Sequence, residues 1–264
     1  MSTQLQTKSV ANFLGNPNTR KYLEGILHER TGQFITSLVS MSNLNAGLAE
    51  ADPKTLLSCG LKAASMNLPL DNNLGFAYAI PYKNKGVSEA QFQLGYKGFV
   101  QLAQRSGQYR SINVIDVRKG ELIKWDPFTE NLELMLIEDA NKRDAQPVIG
   151  YAGVFELLNG FRKASYWSRD RVEKHKVRFS KTHNFGPWKS DFDAMAKKTV
   201  LKDLLSKWGP LSTELQEAIK FDQSVIREEA GETVPDYVDT ELSDAEAPKL
   251  SDIEREFEQK HGPK

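Results

Sequence analysis

Tyr151-Ala-Gly-Val-Phe-Glu-Leu-Leu-Asn-Gly-Phe-Arg-Lys-Ala-Ser-Tyr-Trp167 reads as two strands joined at Asn159-Gly160. Asn-Gly suits a type I′ connection, in which both central residues take positive φ. Ser168 follows directly and is placed to cap a short basic helix running to Phe179. A loop over His183–Pro187 leads into a second helix, with Ser190 as its expected N-cap, Asp191 and Asp193 in the first turn and Lys207 in the last. Gly209-Pro210 stops it. A hairpin feeding basic helices predicts an α+β fold.

Working outward, the same alternation recurs. Phe76, Tyr78, Ile80 and Tyr82 alternate, as do Phe92 and Leu94 beyond Gly86, which predicts a second hairpin. A helix from Tyr96 to Arg105 ends at Gly107, and strands are expected near Ile112–Val117, Leu122–Trp125 and Leu132–Ile137. Helical spacing covers 21–46, Asp52-Pro53 starts another helix ending before Pro69, and Thr213–Phe221 is a further helix. The expected organisation is a flexible N-terminus (1–20), a core with N-terminal helices and central antiparallel hairpins packed on long basic helices (21–221), and a disordered acidic tail (222–264). Ser251-Asp-Ile-Glu254 could nucleate a short helix over 251–260 within that tail.

The 264 residues carry no formal net charge, yet the charge is divided. Residues 222–264 hold 5 basic and 13 acidic side chains, and residues 1–221 hold 30 and 22. A cationic body with an acidic tail suits a protein that handles nucleic acid. The absence of an apolar run of about 18 residues argues against a membrane span. The single Cys59, in an apolar stretch, fits a buried thiol in a reducing, cytoplasmic setting.

Two helices carry candidate anion-binding rows. Lys97, Gln101, Gln104 and Arg105 share the face of their helix opposite Phe99, Leu102 and Ala103. Such a row contacts phosphates and sugars without reading sequence. In the later helix, Lys197 lies within roughly 40° of Leu201, Leu204 and Trp208 at about 100° per residue. A lysine on the apolar side requires an anion opposite, and a phosphate is the expected one. Lys198 and Lys202 stand beside it. Residues 160–210 hold 13 basic and 5 acidic side chains. Arg169, Arg171, Lys174, Lys176 and Lys181 alternate there with Phe185 and Trp188, a pattern that suits a backbone-tracking groove with base stacking. Tyr166 and Trp167 are expected in the core instead. His175 and His183 are a loose pair, expected as phosphate donors or surface residues. There is no G-x-x-x-x-G-K-S/T phosphate loop and no zinc spacing. No ATP or other cofactor is expected, with Mg²⁺ at most a modulator.

These residues resemble the RecT family of phage single-strand annealing proteins. The resemblance rests on Asp52-Pro-Lys-Thr-Leu-Leu through Leu68-Pro-Leu70, then Ala77-Tyr-Ala-Ile-Pro-Tyr82, Gly95-Tyr-Lys-Gly-Phe99 and Ala103-Gln-Arg-Ser-Gly107. It closes on Pro187-Trp-Lys-Ser-Asp-Phe-Asp-Ala-Met-Ala-Lys-Lys-Thr-Val200. It implies a non-enzymatic, ATP-independent protein of a bacterial host cell. Such a protein coats single-stranded DNA as a ring or helical filament, pairs a complementary strand and holds the annealed duplex. The implied partners are an exonuclease or a host single-strand binding protein, reached through the tail. The implied DNA-binding residues are Lys97, Arg105, Lys197 and Lys198. Two other readings compete. A passive, sequence-nonspecific single-strand binder would be built on a barrel. A nuclease would use Asp191 and Asp193 on metal ions.

Overall fold

A computed structural model describes residues 10–71, 73–84, 86–180, 187–229 and 231–237. Lys181, His183, Phe185 and the anticipated helix over 251–260 lie outside the described residues. The first helices are α1 (Val10–Gly15), α2 (Pro17–Leu27), α3 (Thr31–Leu44), α4 (Ala46–Ala49) and α5 (Pro53–Ser65). Asn16 and Asp52 start α2 and α5. Each accepts a backbone N–H two residues on and is followed by proline at the first helical position. The expected flexibility to residue 20 is therefore corrected: helix begins at Val10, and Val10, Leu14 and Leu23 are buried. A six-residue helix is too short to show its period or to stand alone. Packing of α1 against α2, α3 and α5 holds it.

Strands β1 (Ala77–Asn84) and β2 (Val87–Leu94) form the first hairpin, in register from Ala77↔Leu94 to Asn84↔Val87. Helix α6 (Tyr96–Arg105) follows, then β3 (Tyr109–Arg118), the hairpin β4 (Leu122–Asp126) and β5 (Asn131–Leu134), and α7 (Ala140–Asp144). Strands β6 (Val148–Leu157) and β7 (Arg162–Ser168) complete an antiparallel sheet of order β3-β6-β7. The turn between them is not type I′. Only Gly160 has positive φ. Gly160 N–H donates to Leu157, Leu157 N–H donates to Phe161, and the Asn159 side chain accepts from Phe161 N–H. This is a type I turn closed by a glycine bulge, the geometry of a longer loop.

Helices α8 (Arg169–Phe179), α9 (Pro187–Ser190), α10 (Phe192–Trp208) and α11 (Thr213–Phe221) follow. Ser168 caps α8 as expected, and Ser212 caps α11. The cap of α10 is Asp191 rather than Ser190, because Ser190 closes the separate turn α9. Helix α10 lies on the three-stranded sheet with Val200, Leu201, Leu204 and Leu205 fully buried. Gly153 of β6 leaves room for it: a Cβ there would meet Val200 and Leu204 at 3.2 Å. Among the described residues the strands form this sheet and three separate hairpins, so the barrel anticipated for a passive binder is absent.

The acidic tail was expected from residue 222. Instead β8 (Val225–Glu229) and β9 (Glu232–Asp236) form a hairpin attached to β2 through an exchange between Phe92 and Ser224. Arg227 bridges Glu89 and Asp236. Composition misled here because Asp222 is 2% exposed and Val225 and Ile226 are core, while Glu228, Glu229 and Glu232 are exposed.

Two glycine substitutions test this packing in opposite directions. At Gly98 an added Cβ would meet the Phe76 carbonyl oxygen at 2.2 Å. Gly98→Ala is expected to cost about 1–3 kcal/mol in urea unfolding. Gly25, exposed within α2 with nothing near it, should gain about 0.5–1 kcal/mol as Gly25→Ala.

Candidate nucleic-acid interface

Helix α6 seats Phe99, Leu102 and Ala103 in the core and turns its other side outward. Lys97 is exposed and has no carboxylate partner among the described residues; its stem passes Gly75, whose added Cβ would lie 3.5 Å from Lys97 Cδ. Gln104 is exposed and Gln101 half-buried, with Gln101 Oε1 buried and lacking a donor. Arg105 leaves this row. Its guanidinium donates to the carbonyls of Met66 (2.7 Å) and Asn67 (2.8 Å), closing the C-terminus of α5. Helical spacing gave the face correctly but not what stands opposite its last residue.

The lysines of α10 meet carboxylates of the protein itself. Lys197 pairs with Asp116 of β3 at 3.1 Å and keeps 32% of its side chain exposed. Asp116 also receives Arg118 at 2.7 Å and Arg143 at 3.4 Å. Lys198 is 9% exposed and lies 3.4 Å from Asp222, which Lys202 also engages at 2.7 Å. The anion demanded by this helix is thus internal, where a phosphate was anticipated. Trp208 is 41% exposed, beyond the apolar stripe it was assigned to.

The acids in this network titrate low. Burial alone would raise the carboxyl pKa of Asp222, but Lys198, Lys202 and the Leu94 N–H outweigh it and hold the group below its ordinary value. Asp116 is held low by Lys197 and Arg118, and the buried Glu121 by Arg143 and two backbone N–H groups, again against desolvation. Desolvation lowers the pKa of Lys198, with Lys202 adding to the effect and Asp222 opposing it.

Helix α8 offers a second outward set. Lys174 is exposed without an ion partner among the described residues, and exposed Arg171 stacks 3.8 Å over the buried Trp167. Arg169 lies over Phe192 and 3.9 Å from Asp193, and Lys176 is paired with Glu173. His175 is no surface donor: it packs between Trp167 and Phe179 at 5.3 and 4.6 Å, and burial lowers its pKa. Trp188, anticipated as a stacking platform, is 6% exposed against Phe192. Lys189 beside it is exposed and unpaired among the described residues; it stood in the basic segment, but nothing in its spacing singled it out. Asp191 caps α10, and Asp193 accepts from the Tyr151 hydroxyl. Among the described residues no three His, Cys, Asp or Glu side chains are grouped to hold a metal ion.

The RecT family model matches residues 32–240, which include all of these helices. The chain belongs to the RecT family. It is 50% identical over 216 residues to the uncharacterized protein YqaK of Bacillus subtilis, covering 82% of this chain and 72% of that one. It is 28% identical over 225 residues to Protein RecT of Escherichia coli, covering 83% and 82%. Membership supports a role in DNA recombination through single-strand annealing, and with it DNA binding. RecT family proteins are annealing proteins rather than classical enzymes. Among the described residues no helix is long and apolar enough to cross a membrane. The matched region reaches past residue 222, in keeping with the β8–β9 hairpin being part of the body.

The lowered carboxyl pKa values fix a sign. Each acid stabilises the fold above the ordinary carboxylate range, and that contribution is lost as pH falls through its folded pKa. Unfolding midpoints in urea should therefore drop on acidification below about pH 4. Asp222→Asn should cost about 3–5 kcal/mol at neutral pH, because it leaves buried Lys198 without a counter-charge. The variant should also show a shallower acid dependence than the parent.

Proposed function

We propose that this RecT family chain is an ATP-independent annealing protein that coats single-stranded DNA as an oligomer and pairs it with a complementary strand. One contrast carries the reading. The lysines of α10 are matched by carboxylates of the protein itself, whereas Lys97 on α6 and Lys174 on α8 are exposed with no ion pair among the described residues. Helices α6 and α10 pack together and both touch β3, so Lys97 and Lys197 stand on neighbouring walls. Lys197 is available by exchange. Asp116 retains Arg118 and Arg143 when Lys197 turns to a phosphate, so no carboxylate is left bare.

Annealing requires phosphates to be neutralised and base edges left free. Lysine and amide contacts to the backbone do this without sequence preference. Stacking and pairing in the duplex product then drive the reaction, and no step calls for nucleotide hydrolysis. Mg²⁺ would act only by screening the two strands. The acidic residues beyond 237 are the proposed contact for an exonuclease or a host single-strand binding protein in a bacterial cytoplasm.

Complementary oligonucleotides should anneal faster with the full-length protein than in buffer, with no nucleotide added. A passive binder would bind the strands yet slow their pairing. Lys97→Ala should weaken single-strand binding and reduce the log–log salt slope by about 0.7. Asp116→Asn should tighten binding at low salt by releasing Lys197. Unchanged binding in both variants would remove α6 and α10 from the DNA path.

A further inference from the structure

Between α8, α9 and α10 lies a cavity of about 290 Å³, near the lower end of ligand pockets, which run about 300–1,000 Å³. Its walls include Trp167, His175, Phe179 and Trp188, and its floor is Lys198, Lys202 and Asp222. Among the described residues the floor is one negative charge short. Two ammonium groups share a single carboxylate, while the other charged linings are matched elsewhere, Lys176 by Glu173 and Asp203 by Lys207. An ammonium has three N–H donors. Lys198 engages one at 3.4 Å and Lys202 one at 2.7 Å, so most of their donors stand idle among the described residues. Gln223, also on the lining, holds left-handed backbone at φ 67°. Such strain in a residue other than glycine gathers at ligand sites.

We propose that this cavity takes one nucleotide of a bound single strand, its phosphodiester on Lys198 and Lys202 and its base among Trp167, Phe179 and Trp188. The charge selects the ligand. A phosphodiester carries one negative charge and matches the deficit of one, whereas a free phosphomonoester carries about 1.5–2 and overshoots it. The aromatic walls supply stacking, which accepts any base. A base held there has its pairing edge covered, so the cavity holds the strand before pairing and gives the base up as the duplex forms. The inference rests on the single-strand reading above and adds a specific subsite to it.

Tryptophan emission tests it in the full-length chain carrying Trp125→Phe and Trp208→Phe, which leaves Trp167 and Trp188 as reporters. Oligothymidine should quench the emission, and an abasic strand of equal length should bind without quenching. Free thymidine monophosphate should not quench up to millimolar concentration. Lys202→Met should abolish the quench and weaken binding a few-fold. Ser206→Leu, which narrows the cavity and keeps every charge, should abolish the quench with the helical circular dichroism unchanged. Equal quenching by the abasic strand or by the free nucleotide overturns the proposal, as does quenching that survives Ser206→Leu. Binding that still depends on Lys97 without any quench removes the subsite and leaves the annealing reading standing. No binding of oligothymidine removes both.

Discussion

One carboxylate holds the structure together. Asp222 receives Lys198 and Lys202 from α10 and the Leu94 N–H from β2. It thereby ties the principal helix, the first hairpin and the chain leaving α11 to a single buried point. The pairing is what permits two lysines on the inner side of α10, and removing either sign would leave the other without compensation in a medium of low polarity. The β8–β9 hairpin and the cavity floor both depend on that point. The fold therefore spends much of the positive charge of α10 on its own interior.

The division of charge is accordingly different from a cationic body with an acidic appendage. Counted to residue 237, where the described chain ends, the body holds 31 basic and 27 acidic residues, a surplus of four, half that of residues 1–221. A net field that weak does little to hold DNA. What distinguishes Lys97 on α6 and Lys174 on α8 is local: each is an exposed cation with no ion pair among the described residues. The Asp116, Arg118, Arg143 and Glu121 group serves the same end, because it lets Lys197 belong to the interior or to a ligand without either arrangement stranding a charge.

Most of the architecture was legible wherever a local signal has a local cause. Asp52-Pro53 and Ser168 each cap the helix that their position announces, and the β1–β2 and β6–β7 hairpins form where alternation puts them. The failures share one cause. A helical wheel locates Lys197 and Arg105 on a face but carries no information about Asp116 on β3 or the carbonyls of Met66 and Asn67, which are distant in sequence. Trp188 looked available because it follows Gly186-Pro187, yet tertiary contact with Phe192 buries it. Asp222 read as tail because composition averages over a window, and a single neutralised acid vanishes in that average. The proposed DNA-facing set thus contracts around Lys97, Gln101, Gln104, Arg171 and Lys174, while Lys198, Lys202 and Trp188 line the cavity between α8 and α10.

The contact of Gly98 with Phe76 has a mechanical meaning. With backbone of α6 lying directly on backbone of the first hairpin, no side chain cushions the joint. The helix cannot slide or roll without driving its main chain into a carbonyl. Lys97, one residue earlier, therefore stands at a fixed height above β1. In the proposed array of identical copies, a joint of this stiffness would act as a ruler: each copy would offer its cation at the same pitch, and two strands laid along the array would meet in step.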